Sequence, residues 1–193
     1  MLVIVPDQIR QILEKGEYQP RYYNPGNYFD EVHLLMTNND QPNKKVLQRT
    51  VGNANLVIHN YPEDPAIIAN GKWRKWWCRE LRKWAQNGIN LVKRINPDLI
   101  RCHGADWNCY LASRVKKKLG IPYVVSLHIN PDVNATRRHL KNALTAAEEN
   151  HNNFFEFIER TGLRAADLVM PVYEPIVPYL QRLGVERYKV CYN

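Results

Sequence analysis

The sequence predicts a three-layer α/β/α domain with a mainly parallel sheet. Short apolar runs alternate with longer segments of helical spacing along most of the chain. The runs 98–102 and 123–127 are apolar along their whole length, as expected for strands that helices cover on both faces. A single helix-length segment separates these two runs, and a crossover of this kind joins parallel strands.

The predicted elements follow from local patterns. Strands are expected where the apolar runs lie, at 2–5, 31–36, 54–59, 98–102, 123–127, 167–171 and 188–192. Helices are expected at 8–15, 44–51, 73–95, 107–119, 137–160 and 175–183. Gly88 is predicted to kink or break the longest helix, and Gly162 to lie near the end of another. The stretch 17–27 is rich in Tyr, Pro, Asn and Gly, which predicts a loop long enough to be functional.

Length and composition limit the possible classes of protein. The 193 residues suit one domain, and 27 basic residues against 19 acidic ones leave a net charge of +8. Such an excess suits an anionic partner, namely a phosphate-bearing ligand, an acidic membrane surface or a nucleic acid. No nucleic-acid motif accompanies the charge, so we expect no nucleic-acid partner.

Cysteine usage and hydropathy predict the cellular compartment. The four cysteines form no CxxC pair, which favours reduced thiols in a cytoplasmic protein. The first residues lack the pattern of a signal peptide, and no segment approaches the ~18 apolar residues of a membrane span. We expect a cytoplasmic protein, with a peripheral position at the inner face of the membrane as a further possibility.

Two histidines end the two central predicted strands. His103, followed by Gly104, ends the first, and His128 ends the second. Ligands of open α/β sheets bind at this edge, and a neutral imidazole can donate or accept a hydrogen bond there. Alternatively, both histidines have only structural roles: His103 in a hydrogen-bonded turn, and His128 in capping the loop that follows it. His59 also ends a strand, but no HxH or HxxxH pair supports a metal site, and none is predicted.

Four segments resemble the family 4 glycosyltransferases. Residues 97–104 (PDLIRCHG) are similar to that family's PDVVHAHG segment, and 123–128 (YVVSLH) to its PVVVTVHG strand. Residues 166–172 (ADLVMPV) are similar to ADRVIAVS, and 188–193 (YKVCYN) to KIRVIPNGVD. The four motifs occur in the family's order, and the resemblance runs from about residue 54 onward. After His128, Ile129 stands where the family usually has glycine.

The resemblance implies one half of a GT-B glycosyltransferase. In that architecture two Rossmann-like domains face each other across a cleft, the amino-terminal one binding mainly the acceptor. The other domain binds the nucleotide-sugar donor, and transfer retains the anomeric configuration without a cofactor and usually without a metal. We therefore expect residues 1–193 to be the acceptor-binding domain, with the donor-binding domain absent from this chain and the chain alone inactive.

The resemblance also implies roles for particular residues. His128 is the candidate catalytic residue, because the family's histidine at this strand end lies beside the donor sugar. Gly104 lets the backbone approach a ligand or adopt a positive φ. The candidate substrate-binding residues, for a sugar, lipid-linked or other acceptor, are His103, Gly104, Asn130, Arg137, Arg138, Tyr22 and Tyr23. The two tyrosines could stack on a sugar, and the two arginines could bind phosphate or lie at a solvated helix start.

The segment 72–95 has two interpretations. It carries seven of the eight net positive charges together with several tryptophans, which resembles an interfacial membrane anchor for an anionic surface. In the other interpretation, which we favour, Trp73, Trp77 and Trp84 form a core stripe and the basic face is solvated. A second candidate function is a non-catalytic binding module for a phosphorylated or anionic ligand, with the +8 charge as its main determinant.

Overall fold

The computed structural model describes residues 1–16, 18–69, 74–131 and 145–192. The strands are Leu2–Val5 (β1), Glu31–Met36 (β2), Asn55–Asn60 (β3), Ile100–His103 (β4), Tyr123–Leu127 (β5) and Leu168–Pro171 (β6). The helices are Ile9–Glu14 (α1), Lys44–Leu47 (α2), Ala66–Ala69 (α3), Arg74–Ile95 (α4), Trp107–Leu119 (α5), Ala146–Ala165 (α6) and Val177–Arg182 (α7). Short 3₁₀ turns follow α2 at Gln48–Val51 and precede α7 at Glu174–Ile176.

The six strands form one sheet in the order β3-β2-β1-β4-β5-β6, and every pair is parallel. This confirms the Rossmann-like prediction, since 3-2-1-4-5-6 is the order of the doubly wound fold. The chain builds outward from β1 to β3 and then returns across the sheet to place β4 on the other side of β1. The connections after β1 and β4 therefore diverge, and a crevice opens between them at the carboxyl edge.

Both faces of the sheet are buried, and the central strand shows why. Leu2 and Ile4 of β1 belong to the core on one face, whereas Val3 and Val5 belong to the core on the other. All four are at most 1% exposed. The first core contains residues of α4, α5 and α6, and the second contains residues of α1 and α2. Alternating side chains are thus apolar on both sides, which explains the continuous apolar runs in the sequence.

The tryptophans described in α4 belong to the core. Trp77 is 1% exposed and meets Phe154 edge-on, with ring centroids 5.5 Å apart. The ring of Trp84 lies 4.9 Å from that of Trp107, and its Nε1 donates to the carbonyl of Pro62. The core interpretation is confirmed for Trp77 and Trp84. Trp73 lies outside the described residues.

Gly88 does not break its helix as predicted, whereas Gly162 lies near the end of α6 as predicted, and both glycines serve helix packing. The helix α4 continues through Gly88, where an added Cβ would lie 2.6 Å from the side chain of Leu111. The helix α6 continues past Gly162, where an added Cβ would lie 2.9 Å from the backbone of Cys109. Both glycines thus allow a close approach between helices and do not end or break them.

Two predicted elements differ from those in the structure. The helix α6 begins at Ala146, later than predicted, because Thr145 and Glu148 form a capping box at its start. The predicted strand 188–192 is not formed. Its backbone follows β6 through an isolated bridge between Tyr188 and Val169 and two hydrogen bonds, from the amides of Lys189 and Cys191. No helix within the described ranges is long and apolar enough to cross a bilayer.

Candidate functional site

A cavity of about 660 Å³ opens at the carboxyl ends of β1, β4 and β5, where the strand order reverses. The residues at the ends of these three strands form most of its wall. The chain between β1 and β2, the loops after β3 and β5, and the helix α6 complete it. The described lining consists of Val5, Pro6, Asp7, Ile12, Tyr18, Tyr22, Glu63, His103, Gly104, Ala105, Asp106, Leu127, His128, Ile129, Pro131 and Glu159. This is the position at which open α/β sheets bind ligands.

The buried side chain of Asn108 connects the strand ends beneath the cavity. Its Nδ2 donates to the carbonyls of His103, at the end of β4, and Ile4, near the end of β1. Its Oδ1 accepts from the amides of Asp106 and Cys109, 3.0 and 2.7 Å away, at the start of α5. Nδ2 also lies 3.5 Å from the Gly104 carbonyl, so one side-chain amide bonds to five backbone groups and connects β1, β4 and the start of α5.

The two predicted histidines lie side by side in the cavity wall. Their rings are stacked with centroids 5.7 Å apart and planes 8° from parallel. Burial lowers the pKa of His103 well below its usual value, and nearby Arg101 and His128 lower it further. Burial and Arg101 also lower the pKa of His128, whereas Asp7 acts in the opposite direction. Both rings are therefore neutral near pH 7, so each offers both a donor and an acceptor nitrogen.

An aromatic cluster packs against His103 from the loop 18–27. The rings of Tyr22 and Tyr23 each lie 5.4 Å from the His103 ring. Tyr22 lines the cavity, whereas Tyr23 is fully buried behind it and donates a hydrogen bond of 2.6 Å to the hydroxyl of Tyr18. Tyr18 also lines the cavity. It was not singled out from the sequence, although it lies in the loop that was expected to be functional.

Arg101 holds this cluster in place from β4. Its Nε donates to the Ser126 hydroxyl at 3.1 Å, and one terminal nitrogen donates to the Tyr22 carbonyl at 3.2 Å. Its guanidinium also lies 5.8 Å from the centre of the Tyr22 ring. The sequence placed Arg101 inside a buried strand and assigned it no role, because its partners come from a distant loop and a neighbouring strand.

Four carboxylates line the cavity, and the sequence identified none of them as a site residue. Asp7 follows β1, Glu63 follows β3, Asp106 caps α5 and Glu159 lies on α6. Burial raises the pKa of Asp7. Burial, together with nearby Asp106, raises the pKa of Glu63 to about 7. Asp7 could have been predicted as a site residue, because it follows the end of a predicted strand. The loop that contains Glu63 has no sequence pattern that indicates a site residue.

Of the other predicted site residues, Gly104 lines the cavity and Asn130 does not. Gly104 has φ +80°, a left-handed conformation that favours glycine, and its amide donates to the Ser126 carbonyl. Asn130 lies in the loop after β5 outside the cavity lining, and its Nδ2 donates to the Pro175 carbonyl at 3.2 Å. Arg137 and Arg138 lie outside the described residues. Asp106 caps the start of α5, since its side chain accepts from the Trp107 amide at 2.7 Å.

The described lining carries no lysine or arginine. No group of three or more His, Cys, Asp or Glu side chains within the described ranges is arranged to hold a metal ion. The chemistry available in this part of the cavity is therefore hydrogen bonding by neutral imidazoles, stacking on tyrosine rings and proton exchange at carboxylates.

The match to a known family covers most of the chain. Residues 31–193 match the model of the glycosyl transferase 4-like domain. The chain therefore belongs to this family of glycosyltransferase domains, as the four sequence motifs indicated. No curated protein matches the sequence at a significant level.

Solved structures confirm the architecture as one half of a GT-B chain. UGT73P12 from Glycyrrhiza uralensis, complexed with glycyrrhetinic acid 3-O-monoglucuronide, is 10% identical with a TM-score of 0.52. The UDP-GlcNAc 2-epimerase of Neisseria meningitidis, bound to UDP-GlcNAc, is 14% identical with a TM-score of 0.51. Each match covers 98% of this chain but only 48% and 45% of the other chain. This chain thus spans about half the length of these proteins.

The raised pKa of Glu63 makes a prediction about stability. The unfolded carboxyl titrates near its ordinary value of 4.5 and the folded one near 7. Between these values the native state retains a proton that the unfolded state releases, so this contribution to stability falls as pH rises from about 4.5 to about 7. Glu63→Gln removes the effect. Because the group is only partly buried, we expect a gain in unfolding free energy of about 1 kcal/mol at pH 8.

Urea denaturation of wild type and variant at pH 4 and pH 8 measures this difference. The gain is expected at pH 8 and should nearly vanish at pH 4, where both states are protonated. Glu186→Gln, at an exposed glutamate outside the cavity, serves as the matched control. A Glu63→Gln effect of the same size at both pH values would show that Glu63 titrates normally.

Proposed function

We propose that this chain is the acceptor-binding domain of a retaining glycosyltransferase that transfers a sugar from a nucleotide-sugar donor to an acceptor. The observation that carries the proposal is the cavity at the switch point of the sheet. It contains the strand-end histidines and belongs to a chain of the glycosyl transferase 4-like family. The acceptor is a sugar, a lipid-linked sugar or another hydroxyl-bearing group.

The shape and chemistry of the cavity support acceptor binding. Its volume of about 660 Å³ lies within the range for small-molecule sites. Tyr18 and Tyr22 present aromatic surface on which the apolar face of a sugar ring can stack, and the neutral histidines and carboxylates can hydrogen-bond its hydroxyl groups. A hydroxyl-rich acceptor needs both kinds of contact, because its ring has an apolar face and a polar edge.

In the proposed mechanism His128 lies beside the donor sugar. Transfer with retention passes through a transition state with oxocarbenium character, so positive charge develops on the sugar. An imidazole that stays neutral can hydrogen-bond the sugar without adding a positive charge next to it. The acceptor oxygen forms a bond to the anomeric carbon as the bond between that carbon and the nucleoside diphosphate breaks. The departing diphosphate keeps the electron pair of the broken bond and accepts the proton of the acceptor hydroxyl. The wall formed by Tyr22 and His103 positions the acceptor.

The donor-binding half is proposed to lie outside residues 1–193. This chain covers 48% and 45% of the two solved chains described above. The described cavity offers no lysine or arginine for a diphosphate. The domain alone is therefore proposed to bind acceptor but not to transfer sugar, and the transferase needs a second domain that holds the nucleotide.

A non-catalytic module for a phosphorylated or anionic ligand remains the second candidate. Its main support is the net charge of +8. The described cavity weighs against it, since all the formally charged residues that line it are acidic. An anion in this cavity would be repelled by those carboxylates.

Replacement of His128 tests the proposed function. In the complete transferase, assembled from this domain and its donor-binding half, His128→Ala is expected to lower kcat by about 100-fold, the usual cost of one polar contact to a transition state. His151→Ala, at a histidine of α6 outside the cavity, is the matched control and should change kcat less than twofold. Sugar transfer is measured by release of nucleoside diphosphate and by product mass.

Two results would contradict the proposal. One is a His128→Ala enzyme with a kcat within twofold of wild type. The other is measurable sugar transfer by residues 1–193 alone, which would show that this chain holds the donor without a second domain.

Membrane association is a further part of the proposal, and the basic face of α4 supports it. Arg79, Arg82 and Lys83 are exposed, as are Lys93 and Arg94 near the end of the helix. Glu80 pairs with Lys83 at 2.8 Å and with Arg79 at 3.8 Å, so this one carboxylate offsets only part of the charge of the five basic side chains. We propose a cytoplasmic domain that contacts the anionic inner face of a membrane peripherally through this face.

Liposome flotation tests this proposal. We expect the chain to bind vesicles with 30% anionic lipid at low salt and to be released by 0.5 M salt, because surface charge contacts are screened. Replacing Arg79, Arg82 and Arg94 with glutamine should abolish flotation, whereas the same change at Arg10, Arg49 and Arg160 should not. Absence of flotation by the wild type at low salt would contradict it.

A further inference from the structure

Arg101 lies behind the wall of the cavity and does not line it. The described lining includes Tyr22 and His103 but not Arg101. Arg101 and His103 are two residues apart on β4, so their side chains project from the same face of the sheet. Where the family's PDVVHAHG segment has its first histidine, this chain has Arg101. The family motif therefore does not account for an arginine at this position.

The guanidinium of Arg101 restrains Tyr22 at two points. One terminal nitrogen donates to the Tyr22 carbonyl at 3.2 Å, and the guanidinium carbon lies 5.8 Å from the centre of the Tyr22 ring. Its Nε donates to the Ser126 hydroxyl at 3.1 Å, which connects the same side chain to β5. Both the backbone and the ring of one loop residue are therefore attached to the central strands of the sheet.

The rest of the loop 18–27 is attached to a different part of the protein. The amides of Arg21 and Tyr23, on either side of Tyr22, each donate at 2.9 Å to carbonyls of the turn 48–51. Among the residues that the structure describes, the bond from Arg101 to Tyr22 is the one hydrogen bond that joins this loop to β4 or β5. The contact between the rings of Tyr22 and His103 therefore depends on Arg101.

An ion pair does not explain the position of this arginine. Arg101 is partly buried, and within the described ranges no carboxylate pairs with it. Its hydrogen-bond partners are a carbonyl and a hydroxyl group, which are neutral. Partial burial of a guanidinium is costly, and ion pairing does not offset the cost here. The contacts of Arg101 with Tyr22 are thus the feature that needs a functional explanation.

We propose that Arg101 is a positioning residue of the acceptor site, which fixes the backbone and the ring of Tyr22 in the cavity wall against His103. It acts through Tyr22 and does not itself touch the acceptor. This inference rests on the proposed function, because it assigns the Tyr22 ring as the surface on which the acceptor sugar stacks. Without the guanidinium, the Tyr22 ring would be free to turn away from His103 and the cavity.

The charge of Arg101 gives a second way to observe its position. Next to burial, Arg101 is the main cause of the lowered pKa values of His103 and His128. The other charged group that acts on His128 is Asp7, which raises its pKa, and His128 in turn acts on His103. The phenols that face Arg101 are uncharged near pH 7, because burial raises their pKa values. Removal of the Arg101 charge should therefore raise the pKa values of both histidines.

NMR spectra of residues 1–193 test the inference with two substitutions of Arg101. The wild type should show NOEs between the rings of Tyr22 and His103. Arg101→Gln should remove these NOEs and raise the pKa of His128 by about 0.5 pH unit, because it lacks both the charge and the ring contact. Arg101→Lys keeps the charge but lacks the planar fork that bonds to Ser126 and Tyr22 together. It should weaken the NOEs and leave the pKa of His128 unchanged.

Arg49→Gln is the matched control for these spectra. Arg49 also bonds to the loop 18–27, since a terminal nitrogen donates to the Tyr18 carbonyl at 3.1 Å, but it does not line the cavity. The substitution changes the net charge equally. It should leave the NOEs between Tyr22 and His103 and the titration of His128 unchanged.

Titration with glucose and with N-acetylglucosamine measures the effect on sugar binding. Arg101→Gln should raise the Kd of a sugar that the wild type binds by about fivefold, the cost expected for one misplaced aromatic contact. Arg160→Gln, on α6 outside the cavity, is the control and should leave the Kd unchanged. If Arg101→Gln does not fold, Arg101→Lys decides: a raised Kd with weakened NOEs supports the inference, and wild-type values overturn it.

The possible failures can be told apart. Intact NOEs between Tyr22 and His103, an unchanged pKa of His128 or an unchanged sugar Kd in Arg101→Gln would overturn the inference and leave acceptor binding intact. Absence of binding of both sugars by the wild type would overturn the acceptor-binding proposal together with the inference.

Discussion

The hydrogen bonds of the Asn108 side chain are the interaction on which the site depends. At the switch point of a doubly wound sheet, the connections after two adjacent strands diverge, and buried backbone groups at the strand ends need hydrogen-bond partners. Asn108 bonds to the carbonyls of Ile4 and His103 and to two amides at the start of α5. Because it connects β1, β4 and α5, it also fixes where His103, Gly104 and Asp106 lie in the wall of the cavity.

The electrostatics of the domain follow from where its charges are buried. Basic residues are exposed on α4, whereas carboxylates and uncharged imidazoles line the crevice. Burial lowers the pKa values of both histidines and raises that of Glu63, so the same desolvation removes positive charge and weakens negative charge inside the cavity. Among the described residues, basic side chains are thus exposed on α4, whereas the formally charged residues that line the cavity are acidic.

Much of the fold could be predicted from the sequence, because strands buried on both faces and amphipathic helices leave local patterns. The position of His103 and His128 at one edge of the sheet could also be predicted, because each residue ends one of two consecutive parallel strands. Contacts between distant segments could not be predicted in this way. Gly88 and Gly162 serve close helix packing, and Arg101 bonds to a remote loop. The peptide group between Pro62 and Glu63 is held at the cavity by hydrogen bonds to Trp84 and Thr37, which are distant in sequence. The motif residue Asp167 binds Lys116 and the Tyr123 amide, a structural role that its strand pattern did not reveal.

The central claim is that the cavity at the switch point between β1 and β4 binds the acceptor. A crystal structure of residues 1–193 soaked with candidate acceptor sugars tests it most directly. The account predicts a sugar ring in the cavity, in contact with His103 and Tyr22. A sugar bound elsewhere on the domain, with this cavity empty at saturating concentration, would contradict the account.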